Sequence, residues 1–221
     1  MPATDLILLR HGETAWNRER RIQGQLDTPL AEEGLRQART AARRLAAERE
    51  RWGLAAAEAD AGPLLFTSDL TRCRQTAEPI AAALGLVPAL EPRLRERHFG
   101  EFQGMTLPEI RRDHGERFDR FHRLEPDLQL GGGESLRRFA ARVEEALHGL
   151  AAAHTGRTLL LVTHGGVLDV VNRLCRGRPL EAARDVEIPN AGLNRLRWED
   201  GRLRLLVWGD VAHWRSPLDE L

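Results

Sequence analysis

Two short stretches hold the residues best suited to chemistry. Arg10-His11-Gly12-Glu13-Thr14 follows four apolar residues, Leu6 to Leu9, and Thr163-His164-Gly165-Gly166 follows Thr158 to Val162. An imidazole is the side chain most readily used as a base or nucleophile near neutral pH. Arg10 offers a planar fork suited to phosphate or carboxylate, and Gly12 lets the backbone turn tightly and approach a ligand. Arg72 and Glu96 are the further candidates, a second cation and an acid. Together they match the needs of phosphoryl transfer through a covalent intermediate: a neutral imidazole nucleophile, cationic donors around the phosphate oxygens and an acid for the leaving group. A metal site is the competing chemistry, but no HExxH or paired-His spacing supports one.

Each residue also has a plainer explanation. His164 could be a satisfied polar residue packing a turn. Glu96 sits in Arg95-Glu96-Arg97, a triplet that reads as a solvated charge run. Arg72 could pair with Asp69 on its own helix, at little gain. The remaining histidines, 98, 114, 122, 148, 154 and 213, read as structural or exposed.

The elements that must position these residues follow from periodicity. Leu6 to Leu9 and Thr158 to Val162 are continuous apolar runs, as in strands buried on both faces of a parallel sheet, and ligands bind at the carboxyl edge of such sheets. Arg18 to Gln25, with Asn17 beside it and Gln23 and Gly24 within it, forms a loop over that edge, closed by Thr28-Pro29. Leu35, Ala38, Ala42 and Leu45 stripe a helix from Glu32 to about Arg51. Leu54 to Ala61 is Ala-rich, Gly62-Pro63 breaks it, and Leu64 to Thr67 is a short strand. Ser68 or Asp69 then caps a helix carrying Arg72 and running to about Leu84. Val87 to Leu90 is an edge strand, since Pro88 cannot occupy a central one. Glu91 to Gly133 is mixed and Pro- and Gly-punctuated, with scattered Phe, and reads as an inserted cap. A helix starts at Glu134-Ser135 and ends near Gly156; another spans about Val167 to Cys175. Leu193 to Trp198 and Leu203 to Trp208 alternate as a closing hairpin.

Composition narrows the classes. The 221 residues fit one domain, and 33 basic residues balance 33 acidic ones, so no net field favours nucleic acid or an anionic membrane. Every basic residue is Arg, and Tyr is absent too. Schiff-base catalysis, a Lys-bearing phosphate loop and a Tyr nucleophile are therefore excluded. Cys73 and Cys175 suggest neither a disulfide framework nor a zinc site, and the first residues are too short an apolar run for a signal peptide or membrane span. A cytoplasmic protein is expected.

The segments LLRHGETAWN, TSDLTRCRQTA, LRERHFGEFQG, GGGESL and LVTHGG, in that order and at these separations, resemble the histidine phosphatase superfamily, which includes the cofactor-dependent phosphoglycerate mutases. The resemblance runs almost end to end. It implies a single domain over residues 1–221: a three-layer α/β/α sandwich with a mostly parallel central sheet and a small cap inserted at about 91–133. It also implies His11 as the phosphorylated nucleophile, Arg10, Arg72 and protonated His164 as the phosphate pocket, and Glu96 as proton donor. Asn17, Gln23 and Gly24, with Gly165 beside His164, match substrate-binding positions. No metal and no cofactor are expected.

Two branches of that family compete. LRERHFGEFQG is close to the mutases, whereas THGG followed by Val167 and the GGGES segment look like the phosphatases. Only about 30 residues separate Gly104 from Glu134, where mutases carry a much longer insertion. A shorter cap admits water, and water turns phosphoryl transfer into hydrolysis. The expectation is a metal-independent phosphomonoesterase acting on a small phosphorylated metabolite through phosphohistidine. A phosphoglycerate mutase is the alternative, and a catalytically idle phospholigand-binding protein the third reading. Sugar phosphates, phosphoglycerates, nucleotides and a ribazole phosphate all stay open as substrates; a homodimer and a monomer are equally open. Ala31 stands where relatives place a Ser or Thr helix cap, a departure of about 1 kcal/mol in helix stability that leaves the chemistry untouched.

Overall fold

A computed structural model describes residues 2–55 and 62–215. Part of the Ala-rich segment from Leu54 to Ala61 lies outside them. The central sheet has six strands in the order β3-β2-β4-β1-β5-β6: β1 is Thr4–Arg10, β2 Leu64–Thr67, β3 Pro88–Leu90, β4 Thr158–Thr163, β5 Leu193–Glu199 and β6 Arg202–Asp210. The first four in that order are mutually parallel; β5 and β6 run antiparallel and close one edge as the expected hairpin. Pro88 lies on edge strand β3, paired with Leu65.

The continuous apolar runs do what their pattern requires. Leu6, Ile7, Leu8 and Leu9 are all fully buried, as are Leu159 to Val162. Alternate residues face two cores. Leu6, Leu8, Leu159 and Leu161 pack against Phe139, Val143 and Leu147 of α5 (Leu136–Ala153) and Val167 and Val171 of α6 (Gly165–Arg176). Ile7, Leu9, Leu160 and Val162 pack against Ala41 and Leu45 of α2 (Glu32–Ala47) and Cys73, Ala77 and Ile80 of α3 (Thr71–Leu84). The result is three layers, with a four-residue turn of helix, α1 (Ala15–Arg18), after the first strand.

This layering sets the site. After β1 the chain leaves toward the α2 and α3 face; after β4 it leaves toward the α5 and α6 face. Adjacent parallel strands whose connections depart to opposite sides open a crevice at their carboxyl ends, the place where α/β sheets bind ligands. His11 and His164 stand at those two ends.

The segment expected as a cap builds a third, small cluster: Phe102, Ile110, Phe118, Leu128 and Leu130, flanked by Ile22, Phe99, Met105 and Phe121. Its helix, α4 (Leu107–His122), opens with a capping box at Thr106 and Glu109 and is kinked at Gly115.

Several local expectations are corrected. Helix α2 stops at Ala47, short of Arg51. Neither Ser68 nor Asp69 caps α3 as its N-cap residue: that position is Leu70, and the N–H of Thr71 is instead taken by Asp27 Oδ1 at 2.7 Å, from the loop above. Ala31 does leave α2 without a side-chain cap, and Glu32 and Glu33 occupy the first turn, where the helix dipole favours them. Gly12 serves helix packing: a Cβ there would lie 2.4 Å from the carbonyl oxygen of Gly34 in α2.

Candidate active site

His11 is buried against the end of β1, 3% exposed, and its ring is fixed by one contact. Nδ1 lies 2.7 Å from the carbonyl oxygen of Gly12. A carbonyl only accepts, so Nδ1 carries the proton and Nε2 keeps its lone pair. Burial, with Arg72 and Arg10 nearby, holds the imidazole well below the usual histidine pKa, so the ring is neutral. The backbone around it is clamped: the N–H of His11 donates to Thr163 O at 2.9 Å, its carbonyl accepts from Asn190 Nδ2 at 2.9 Å, and Gly12 N–H donates to Thr76 Oγ1 at 3.0 Å.

Two guanidinium groups share the cavity with this ring. Arg10 donates to Ile188 O at 2.6 Å; Arg72, fully buried on the first turn of α3, donates to Gly24 O at 2.6 Å and Leu26 O at 2.9 Å. These partners are neutral carbonyls, and Nε of each Arg is buried without a partner. Arg72 does not pair with Asp69, whose carboxylate is held by Arg95. Among the described residues neither Arg10 nor Arg72 has a directly paired carboxylate, although Glu96 is near enough to favour both charges; buried cations so weakly compensated are costly, and an arriving dianion reduces that cost. The amides agree. Asn17 Oδ1 accepts from Thr14 N–H and Gln23 Oε1 from Thr28 Oγ1, so each turns its NH2 to other use. With the cavity lined by Arg10, His11, Asn17, Gln23, Gly24, Arg72, Glu96 and Gly165, the donors converge where an oxyanion would sit.

His164 lies beside His11, ring centroids 5.3 Å apart and edge to face. The resemblance implies a protonated His164 around bound phosphate; the free protein differs. The ring is fully buried, Nε2 contacts Ser68 Oγ at 2.9 Å, and burial together with Arg72, His11 and Arg10 holds it well below the usual pKa, hence neutral in the free protein. Cys73, 3.4 Å from the same nitrogen, has its thiol pushed up by burial to about 12 and is inert.

Glu96 reaches the cavity from the loop after β3. Its Oε2 accepts from Gly166 N–H at 2.8 Å, and Oε1 from Arg97 N–H at 2.9 Å. The loop itself is fastened by Arg142, which donates to the carbonyls of Arg93, Arg95 and Glu96 and forks onto Glu134 at 2.8 Å on both oxygens. So the carboxylate is no solvated charge.

All nine residues singled out in the sequence therefore meet at one place, although His164 backs the site rather than lining it. The sequence reading missed Ser68, Thr76, Asn190 and Arg142, which hold the others, and Arg184, a cavity-lining cation close enough to depress the pKa of Arg10. Ser68 and Thr76 lay inside a quoted motif; the rest carry no local signal. Among the described residues no group of three or more His, Cys, Asp or Glu could hold a metal, and no helix is long and apolar enough to cross a membrane.

Comparison with known proteins follows the same lines. The pattern of the histidine phosphatase superfamily (branch 1) matches residues 6–211. The chain is similar to phosphoglycerate mutase-like protein 4 of Arabidopsis thaliana, 38% identical over 95% of this chain and 86% of that protein. It is also similar to a metal-independent phosphoserine phosphatase of the same plant, 35% identical over 96% of this chain and 84% of that one. Among solved structures, YhfR of Bacillus stearothermophilus superposes with a TM-score of 0.82 at 32% identity, over 95% of this chain and 98% of that one.

Proposed function

The chain belongs to the histidine phosphatase superfamily (branch 1) and is a phosphatase, and we propose that it hydrolyses a small phosphomonoester through a phosphohistidine on His11. The observation that carries the residue assignment is the fixed tautomer: Nδ1–H bound to Gly12 O leaves Nε2 the nucleophile, beside two buried guanidiniums with unpartnered Nε atoms. Nε2 attacks phosphorus in line. The P–O bond to the alcohol breaks, and Glu96 delivers its proton to the departing oxygen. Water, deprotonated by Glu96, then breaks the P–N bond and releases phosphate, returning His11 to its neutral form. Arg10 and Arg72, joined by the amide N–H donors of Asn17 and Gln23, balance the charge on the phosphoryl oxygens throughout. His164 keeps its ring against His11 and takes up positive charge only as the dianion arrives.

Phosphoglycerate mutase is the second reading, favoured by the stretch Glu96 to Gly104 and the name of the plant relative. Product analysis with 3-phosphoglycerate separates the two. The first reading is tested by trapping. Wild-type protein mixed with labelled phosphomonoester and quenched without acid should carry label; His11→Ala, folded by circular dichroism, should carry none and turn nothing over. Normal labelling of His11→Ala would overturn the assignment. The balanced charge and the two free cysteines, Cys73 buried, support a cytoplasmic setting.

A further inference from the structure

The active-site cavity, about 590 Å³, is much larger than a phosphoryl group requires and falls within the usual range for small-molecule sites, ~300–1,000 Å³. Its two ends differ in chemistry. Around His11 the wall is made of guanidiniums and amides. Away from it, bordered by Arg20, Arg21, His122, Asp169 and Arg173, the wall carries the apolar side chains of Ile22, Phe99, Leu107, Phe121 and Leu124.

Those five side chains are held open by their surroundings. Ile22, Phe99 and Phe121 each lay one face on the small third core, and Phe99 and Phe121 meet edge to face at 6.0 Å. Leu124 takes φ +56 just after α4, a left-handed conformation that a leucine adopts at a cost, and this places it in the wall. Leu107, the first residue of α4, is 45% exposed. An apolar side chain kept in contact with water at a cavity wall gains free energy when a ligand covers it.

Most polar groups at this end are engaged; His122, exposed, lies stacked on Phe118. Arg21 donates to Glu109 Oε2 at 3.0 Å and to Gly104 O. Arg173 donates to Pro179 O and Leu180 O and to Asp169 Oδ2. Arg184 is braced on Asp169 Oδ1 and belongs with Arg10 at the phosphate end. Arg20, exposed, is the one cation in the cavity wall without a hydrogen-bond or ion-pair partner among the described residues. A sugar or a short hydroxy acid bound against this wall would leave hydroxyls unpaired, at a cost of about 1–3 kcal/mol for each one buried.

Resting on the phosphatase reading above, we infer that the substrate's alcohol is an apolar or aromatic group several carbons long, and not a sugar, glycerate or serine. The phosphoryl group is held at His11, Arg10 and Arg72, and the body lies along Phe99, Phe121, Leu124 and Leu107.

The test is a homologous series of n-alkyl phosphates from ethyl to octyl, set beside phosphoserine, 3-phosphoglycerate and glucose 6-phosphate. Beyond ethanol the leaving alcohols are almost equally basic, so the chemical step stays constant and the slope reads the wall alone. Wild-type kcat/KM should rise about two- to fourfold per methylene until the cavity is filled. Leu107→Ser, at an exposed position where the fold does not depend on the side chain, should flatten the upper part of that slope. A flat series, or kcat/KM highest on one of the three polar substrates, overturns this inference and leaves the phosphatase reading standing. No turnover of any member, including 4-nitrophenyl phosphate, overturns both.

Discussion

Glu96 and Gly166 fit together so closely that the second position has room for hydrogen alone. Oε2 of Glu96 accepts the Gly166 N–H at 2.8 Å, and a Cβ at 166 would stand 2.1 Å from Oε1. The amide belongs to the first turn of α6, whose N-terminal dipole favours a carboxylate. One contact thus ties the proton donor to the helix that follows His164.

Gly166→Ala should therefore act as a displaced-acid variant. Alanine is the better helix former by about 1 kcal/mol, so the melting temperature should hold or rise. Turnover of an alkyl phosphate should fall, by as much as about 10²-fold for a displacement of an ångström. Unchanged turnover would mean that Glu96 moves freely and that its observed position does not matter.

Stability should fall with acid before the carboxylates titrate. His11 and His164 are held well below pKa 6.5 by burial and neighbouring cations, and His213, buried beside Arg44, is held at about 4. At high pH the rings are neutral in folded and unfolded chains alike, so this neutrality makes no difference. As the pH falls through about 6.5 the unfolded chain binds protons that the folded chain does not, at about 1.4 kcal/mol per pH unit for each fully titrating group. Melting temperature measured from about pH 8 to about pH 5 should drop steadily below about 6.5. A flat profile would mean that these rings accept protons in the folded state.

Much of this site was legible because parallel strands end at one edge. Once Leu6 to Leu9 and Thr158 to Val162 are read as strands of a parallel sheet, His11 and His164 fall on one edge; that the two strands are neighbours, which brings the rings together, comes from the fold alone. Glu96 was obscured by its neighbours. In the folded chain Arg95 turns to Asp69, Arg97 to the carbonyl of Glu134, and Glu96 to Gly166, so the apparent charge run is three unrelated positions. The neutrality of His164 could not be read either, since it depends on burial by elements far away in the chain. Asn190 grips the His11 carbonyl across 179 residues, and no local pattern announces such a contact.

An oxyanion should stabilise the protein without any metal. Vanadate or phosphate supplies the directly paired counter-charge that Arg10 and Arg72 lack among the described residues, and at about 100 times its Kd it adds about 2.7 kcal/mol. For a domain of this size that is about 5–10 °C in melting temperature. The shift and the competitive inhibition should be the same with and without EDTA. Loss of activity in EDTA, restored by one divalent cation, would favour metal-assisted hydrolysis instead.

The leaving group provides the sharpest test of Glu96. Glu96→Gln keeps a side-chain carbonyl that can accept one of the two backbone N–H groups now bound to the carboxylate, so the loop held by Arg142 should stay in place. What is lost is the transferable proton. An alkyl phosphate has a poor leaving group that needs it, and turnover should fall by about 10²- to 10⁴-fold. An aryl phosphate has an acidic leaving group and loses little in the first step, so the enzyme is phosphorylated at close to the normal rate. The second step still suffers, because the same carboxylate activates the attacking water, and phosphoenzyme should accumulate. The measurement is paired: steady-state rates on both substrates, and the fraction of protein carrying phosphate during aryl phosphate turnover. Equal, modest losses on both with no accumulation would remove Glu96 from the mechanism and send the search for the proton donor to Asp169, the other carboxylate in the cavity lining.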